Sequence, residues 1–170
     1  MRILVTKLEL PMKEESQFME IQTEQVRMAD VVVRGNGKGF AQEIAAGAHR
    51  FAVDEPVEAG GTDTGPGPYQ LLLAALGACT SITVTMYAKS KGWPLEIITV
   101  SLSHSKEYAA DCANCETKQG PLNRIDREIE FGGPLTAEQK QRLFQIANKG
   151  PVHRALTSEI DIRTRLKTVD

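Results

Sequence analysis

From Thr64 to Ala88 the chain carries no Asp, Glu, Lys, Arg or His, and Cys79 sits in the middle of that run, within Leu71-Leu72-Leu73-Ala74-Ala75-Leu76-Gly77-Ala78-Cys79-Thr80-Ser81-Ile82. The run exceeds the roughly 20 residues that span a bilayer, so it is either a membrane span or a helix enclosed by protein. Thr64-Gly65-Pro66-Gly67-Pro68 would break a helix, and Thr80, Ser81, Thr83 and Thr85 interrupt what remains, which favours the enclosed helix. Pro68 suits its first turn, Lys89 and Lys91 suit the negative C-terminal end, and Gly92 can close it. Apolar residues on every side ask for cover on every side. One small domain has little material for that, so a partner chain is expected to contribute.

At 170 residues, 41% hydrophobic and 25% charged, the chain has enough material for one well-buried core and no need of a second. Twenty Lys and Arg against 22 Asp and Glu leave no basic excess to draw in a phosphate backbone, so nucleic acid is not the expected partner. Met1-Arg2-Ile3-Leu4-Val5-Thr6-Lys7-Leu8-Glu9 has too short an apolar stretch for a secretion signal. A cytoplasmic protein is therefore expected, not bound to a membrane, in which Cys79, Cys112 and Cys115 are thiols rather than staples.

Three strand-like pieces precede the apolar run: Val31-Val32-Val33-Arg34 ending at Gly35-Asn36-Gly37, then Phe40, Gln42 and Ile44 in alternation, then Phe51 and Val53 before Asp54-Glu55-Pro56. After it, Ile97 to Leu102 and Ile125 to Phe131 form a pair joined by a long loop that carries Cys112 and Cys115. Thr136-Ala137-Glu138-Gln139 fits a capping box, opening a helix with Leu143, Phe144, Ile146 and Ala147 on its apolar side. Pro151 then starts a short helix, and Ile160, Ile162, Thr164 and Leu166 alternate as a last strand. The order is three strands, a buried helix carrying Cys79, two strands, two helices and a strand, an α+β plan. Residues 1–28 show no clear period and read as an N-terminal extension or arm, leaving 29–170 as the domain.

Cys79 has two readings, a small core filler among Ala75, Gly77, Ala78 and Ile82 or a nucleophile controlled by its surroundings. Cys112-Ala113-Asn114-Cys115 has the spacing of dithiols and zinc knuckles. Zinc needs two further ligands, and His49, His104 and His153 form no second paired motif, so neither a metal nor a cofactor is called for. Asp111 and Glu116 beside the pair raise thiol pKa values, which leaves a resolving or structural dithiol. No dinucleotide fingerprint, nucleophile elbow or phosphate loop is present. His153 and Arg154, like Arg34, His49 and Arg50, read by default as solvated or salt-bridged.

Gly60-Gly61-Thr62-Asp63-Thr64-Gly65-Pro66-Gly67-Pro68-Tyr69-Gln70 leading into the Cys79 helix, Lys91-Gly92-Trp93-Pro94-Leu95, Asp111-Cys112-Ala113-Asn114-Cys115-Glu116 and Pro151-Val152-His153-Arg154-Ala155-Leu156-Thr157-Ser158-Glu159-Ile160 together resemble the OsmC family, the osmotically inducible and organic hydroperoxide resistance proteins. The resemblance runs from about Val31 to Arg165. It implies a domain-swapped homodimer in which strands of each chain join the other's sheet around two central helices. It also implies a thiol-dependent peroxidase of the oxidative stress response, acting on small-molecule peroxides, preferably organic ones. In that chemistry Cys79 attacks the peroxide and becomes sulfenic acid, a second cysteine closes a disulfide with it, and a thiol reductant resets the site.

Two departures from the family's pattern bear on the site. The second cysteine stands immediately before Pro-Val in the family, and here that residue is Gly150. The family also pairs a glutamate early in the cysteine helix with an arginine from the preceding strand or loop. Tyr69-Gln70 and Asp54-Glu55-Pro56 occupy the matching stretches and do not supply that pair. The expected function is thus a redox protein that reduces hydroperoxides with Cys79 alone as nucleophile. Arg154 stands as the candidate support for its thiolate, and Cys112, Cys115 or a small thiol as the resolving group. The alternative is a non-catalytic binding module of the same fold, holding a small hydrophobic ligand in an apolar pocket at the dimer interface.

Overall fold

Alternating apolar and polar residues in the first third of the chain build an antiparallel meander of β1 (Val31–Gly35), β2 (Gln42–Ala46) and β3 (His49–Val53), with Val33 opposite Ile44 and Ile44 opposite Phe51. The computed structural model describes residues 30–108 and 120–167. The arm expected over residues 1–28 and the pair Cys112 and Cys115 lie outside the described residues. Gly47 takes a φ of 58° in the two-residue turn between β2 and β3, a conformation hairpin turns reserve for glycine and a few polar residues. Ile44 and Val53 are buried, whereas Val31, Val32, Val33, Phe40 and Phe51 are exposed.

The meander ends at a buried carboxylate. Asp54 accepts hydrogen bonds from the N–H of Glu55 at 2.9 Å, from the N–H and hydroxyl of Thr62 at 2.8 and 2.6 Å, and from those of Thr64 at 3.3 and 3.1 Å. These donors, led by the Thr62 hydroxyl, hold its carboxyl well below the ordinary value of 3.8. The loop they gather runs directly into α1 (Pro68–Ser90), so Asp54 sets where the apolar helix begins.

Along α1 the buried residues are Leu76, Gly77, Thr80, Val84 and Ala88, a stripe at helical spacing. The stripe packs on one face of a long hairpin, β4 (Ile97–Tyr108) and β5 (Pro121–Gly132). Its inward positions pair in register: Ile98 with Phe131, Val100 with Ile129, Leu102 with Arg127. A Cβ on Gly77 would come within 2.9 Å of Leu102 Cδ1, so glycine is what lets helix and hairpin approach here. Helix α2 (Ala137–Ala147) closes the core from the other side, its Leu143 and Ala147 meeting Val84 and Ala88. The anticipated capping box is present, with the Thr136 hydroxyl accepting from the Gln139 N–H at 3.2 Å and the Gln139 side chain accepting from the Thr136 N–H at 2.9 Å. A short α3 (Pro151–Leu156) follows.

The hairpin and α2 cover only one stripe of α1, leaving Tyr69, Leu72, Ile82 and Met86 exposed, in line with the shortage of covering material within this chain. Two expectations need correction. Phe144 is half exposed rather than part of the α2 core, lying off the line of Leu143, Ile146 and Ala147. The last strand is not formed: beyond α3 the described residues pair with no strand of this chain, and Ile162 and Leu166 are 82% and 93% exposed. Alternation supplies the side chains of a strand, but the strand exists only where an edge accepts it.

Two measurements check this account. Leu143→Ala, which empties the centre of the core, is expected to lower unfolding stability by roughly 2–5 kcal/mol in denaturant titration. For Asp54 the depressed carboxyl contributes stability that is complete above the unfolded value of 3.8 and drains away as pH falls below it. Asp54→Asn should therefore be less stable than the parent at pH 7, with the gap narrowing as both are acidified below about pH 4.

Candidate active site

Cys79 lies one residue from the buried stripe of α1, and this offset turns its side chain toward the junction of α2 and α3 rather than into the core. It is half-buried. The backbone N–H of Val152, in the first turn of α3, donates to Cys79 Sγ at 3.5 Å. Gly150 stands directly over the sulfur: a Cβ built there would lie 3.1 Å from Cys79 Sγ and 3.3 Å from Thr83 Oγ1. Gly150 is thus packed against Cys79, closely enough that any side chain there would press on the sulfur and on Thr83.

Arg127 completes the surroundings, and the sequence reading passed over it. Period-two alternation places Ile125, Arg127, Ile129 and Phe131 on the face of β5 that looks toward α1, so one inward position carries a guanidinium instead of an apolar side chain. Its Nη1 donates to Thr80 Oγ1 at 2.9 Å and to the Ala147 carbonyl at 3.3 Å, and Nη2 donates to Asn148 Oδ1 at 2.6 Å. The guanidinium ties the residue after Cys79 to the end of α2, two positions before Gly150. The signal was legible: a charge in register with Ile125 and Ile129 inside a strand is a polar group that must be satisfied in the interior.

Burial holds the Arg127 guanidinium below its ordinary value, and among the described residues no carboxylate acts on it. Three residues earlier Arg124 shows the contrast. Asp126 and Glu107 at 3.0 and 2.9 Å raise it. His153, next to Val152, is pushed below its ordinary value of 6.5 first by burial and then by the charge of Arg127, so its ring is neutral at neutral pH. Arg127 is the full positive charge at this junction, and His153 is its uncharged neighbour.

The other candidates take lesser places. Arg154 is exposed on α3, and among the described residues its side chain makes no hydrogen bond or ion pair. Asp54 is consumed by the loop that precedes α1, and Gln70 accepts from the Gly67 N–H at 2.8 Å. The stretches that could have held the family's Glu and Arg pair thus serve to start the helix. His104 stacks on Tyr69 at 4.3 Å and meets Asn123 Oδ1 at 3.0 Å, while His49 is exposed at the start of β3. On a different side of α1, Leu73, Ala74, Gly77, Ala78, Ile98 and Leu102 line an open groove of about 440 Å³.

The chain as a whole is similar to known proteins. The family model described as OsmC-like protein matches residues 61–165. A comparison with curated proteins found no match. Among solved structures, the chain is similar to an OsmC-like protein from Mycoplasma pneumoniae at 18% identity and a TM-score of 0.59, covering 78% of this chain and 89% of that one. It is similar to an organic hydroperoxide resistance protein OsmC from Legionella pneumophila at 20% identity and 0.55, covering 78% and 91%. The organic hydroperoxide resistance protein OhrB of Bacillus subtilis aligns at 24% identity and 0.54, covering 82% and 98%. These likenesses establish the fold.

The geometry at residue 150 makes one direct prediction. Across a disulfide the Cβ of one cysteine lies about 3 Å from the sulfur of the other, given an S–S bond of about 2 Å. A Cβ on Gly150 would lie at 3.1 Å, with an extended backbone of φ −64° and ψ 144° that any residue accepts. Gly150→Cys is expected to give a chain in which the introduced thiol closes a disulfide with Cys79 on mild oxidation, seen as a linked peptide pair by mass spectrometry. Persistence of both thiols under oxidant would contradict the placement of α3.

Proposed function

The chain belongs to the OsmC-like family, and from that premise we propose that it reduces organic hydroperoxides through Cys79 as sole nucleophile. The observation that carries this reading is the setting of Cys79: half-buried, packed beneath Gly150 at the start of α3, and touched by a backbone N–H. A cysteine kept only to fill a core is enclosed by apolar atoms, whereas this one is only partly buried and has a donor directed at its sulfur. Proteins of the same fold from Legionella and Bacillus carry the name organic hydroperoxide resistance protein, which supports the substrate class.

In the proposed chemistry the Cys79 thiolate attacks one peroxide oxygen, the O–O bond breaks, and the alkoxide leaves with a proton as an alcohol. The sulfur, oxidised by two electrons, carries the hydroxyl as sulfenic acid. A thiol, either a small external one or Cys112 or Cys115, condenses with it to a disulfide and releases water, and a further external thiol reduces that disulfide to return Cys79 to the thiol. The test is consumption of cumene hydroperoxide with a dithiol reductant. Wild type is expected to turn over and Cys79→Ser to fall to background. Mass spectrometry after excess hydroperoxide should show Cys79 oxidised.

A second reading has one observation in its favour, the groove of about 440 Å³ beside α1, of a size to hold a small apolar ligand without catalysis. Recovery of all cysteines as free thiols after excess hydroperoxide would favour it.

Both readings share a homodimer. The open side of α1 with Leu72, Ile82 and Met86, the exposed apolar residues of β1, and the unpaired Ile160, Ile162 and Leu166 form more apolar surface than a monomer of this size carries easily. A second copy supplies cover of matching shape, with small residues Ala74, Ala78 and Ser81 allowing close approach, and gives the C-terminal segment a sheet edge to join. Sedimentation at falling concentration is expected to show a dimer down to micromolar protein; a well-folded monomer there would remove the swapped architecture.

A further inference from the structure

Asn36 opens the loop between β1 and β2, and it is the one asparagine of the chain that is followed by glycine. Its Oδ1 accepts the N–H of Lys38 at 2.8 Å. The Gly37 N–H and the Asn36 side-chain amide nitrogen donate to no acceptor among the described residues. Residues 36–39 are exposed, and Gly37, at a φ of 71°, has nothing from elsewhere in the chain within 4 Å of where a Cβ would stand. Beside the loop lies a cleft of about 610 Å³ lined by Arg34, Asn36, Gln42, Glu43 and Arg50. Arg34 makes no ion pair among the described residues, and Arg50 donates only to the carbonyls of Gly47 and His49.

This arrangement suits acyl transfer within the loop itself. The attacking atom, Gly37 N, is unobstructed because glycine has no side chain, and its proton is not committed to a carbonyl. The carbon under attack, Asn36 Cγ, carries an oxygen that gains negative charge in the tetrahedral intermediate, and the Lys38 N–H is already directed at that oxygen. We propose that Asn36 and Gly37 form a site of spontaneous deamidation, where the chain closes to a succinimide and reopens as a carboxylate facing Arg34 and Arg50. In the first step Gly37 N bonds to Asn36 Cγ, water carries the Gly37 proton to the side-chain amide, and that amide leaves as ammonia. Water then adds to one of the two imide carbonyls. Breaking one ring C–N bond gives aspartate at position 36; breaking the other gives isoaspartate, whose backbone is longer by one methylene. One water is consumed and one ammonia released, and no redox partner takes part.

The product changes what the cleft presents. A lining with the guanidiniums of Arg34 and Arg50 against the single carboxylate of Glu43 gains a second carboxylate, which balances it. The fold tolerates either product. The β1–β2 ladder closes at Gly35 and Gln42, so the longer backbone of isoaspartate falls in the loop beyond the last pair and leaves the register intact. No step involves Cys79, and the site is independent of the peroxide reading above.

The test keeps full-length protein in heavy-oxygen water at mildly alkaline pH, beside a synthetic peptide of residues 33–40, and maps both by mass spectrometry. Asn36 in the protein is expected to convert at a rate within about tenfold of the peptide's. The product should carry one heavy oxygen and contain both aspartate and isoaspartate at that position. Asn123 and Asn148, followed by Arg124 and Lys149 and each hydrogen-bonded through Oδ1, should stay intact over the same time. Asn36→Gln should remove the conversion, because the longer side chain closes a less favourable ring. Gly37→Asp, which also accepts a positive φ, should slow it about tenfold or more by screening the attacking nitrogen. Asn36→Asp is expected to unfold at a denaturant midpoint no lower than the parent's at low salt, with any gain lost at about 1 M salt. Asn36 surviving while the peptide converts, equal conversion at Asn123 or Asn148, or a rate unchanged by Gly37→Asp would each overturn the site. A lowered midpoint for Asn36→Asp that salt restores would instead reveal repulsion by Glu43 and overturn the pairing with Arg34 and Arg50.

Discussion

The close packing of α1 on the β4–β5 hairpin is the contact on which the rest depends. Gly77 meets Leu102 without room for a methyl group between them, and the stripe Thr80, Val84 and Ala88 continues that contact toward α2. Once this face of the helix is fixed, the rotation of every other α1 residue is fixed with it. Cys79, one position before Thr80, must then face the α2–α3 junction. A helix of near-uniform hydrophobicity has no preferred face of its own. The one place where a strand side chain can reach the helix backbone chooses for it.

The polar side of the site follows from the same contact. Thr80 is buried, its hydroxyl donates to the Leu76 carbonyl at 2.7 Å, and its oxygen accepts from Arg127. A guanidinium at an inward position of β5 would be costly among Ile125, Ile129 and Phe131 without acceptors. It finds three at the seam of α1 and α2. The hydrogen bonds that make its burial tolerable also hold Asn148 and, through the two residues that follow, the Gly150 turn above the sulfur. Packing and chemistry share these atoms, which is why the cation meets the residue next to the cysteine in the chain.

Much of this was legible in the chain. The α+β order, the capping box at Thr136, the helix beginning at Pro68 and the position of Gly150 against Cys79 could all be read from periodicity, caps and resemblance. Less legible was which side of α1 its own chain leaves uncovered. A hydropathy pattern that is apolar all round states that surface must be covered; it does not state which face each element takes. The last strand failed to form for a related reason, since Ile160, Ile162 and Leu166 have the right alternation and no edge within their own chain to join. Arg154 was singled out by its nearness in sequence to the Pro151-Val152 motif, while Arg127, far from Cys79 in sequence, is the cation that the fold brings to the site.

By itself the sequence determined which segments before residue 157 form helices and strands and which residue is the nucleophile candidate, because those depend on local backbone preference and on side-chain period. It also determined that no second thiol stands before Pro151. The tertiary structure decided which face of α1 is buried, that Asp54 is spent on shaping a loop, and that Arg127 rather than Arg154 meets the residue beside Cys79. Those outcomes depend on register between strands and on rotation of a helix about its axis. Both are set by contacts between residues far apart in the chain, which no local pattern encodes.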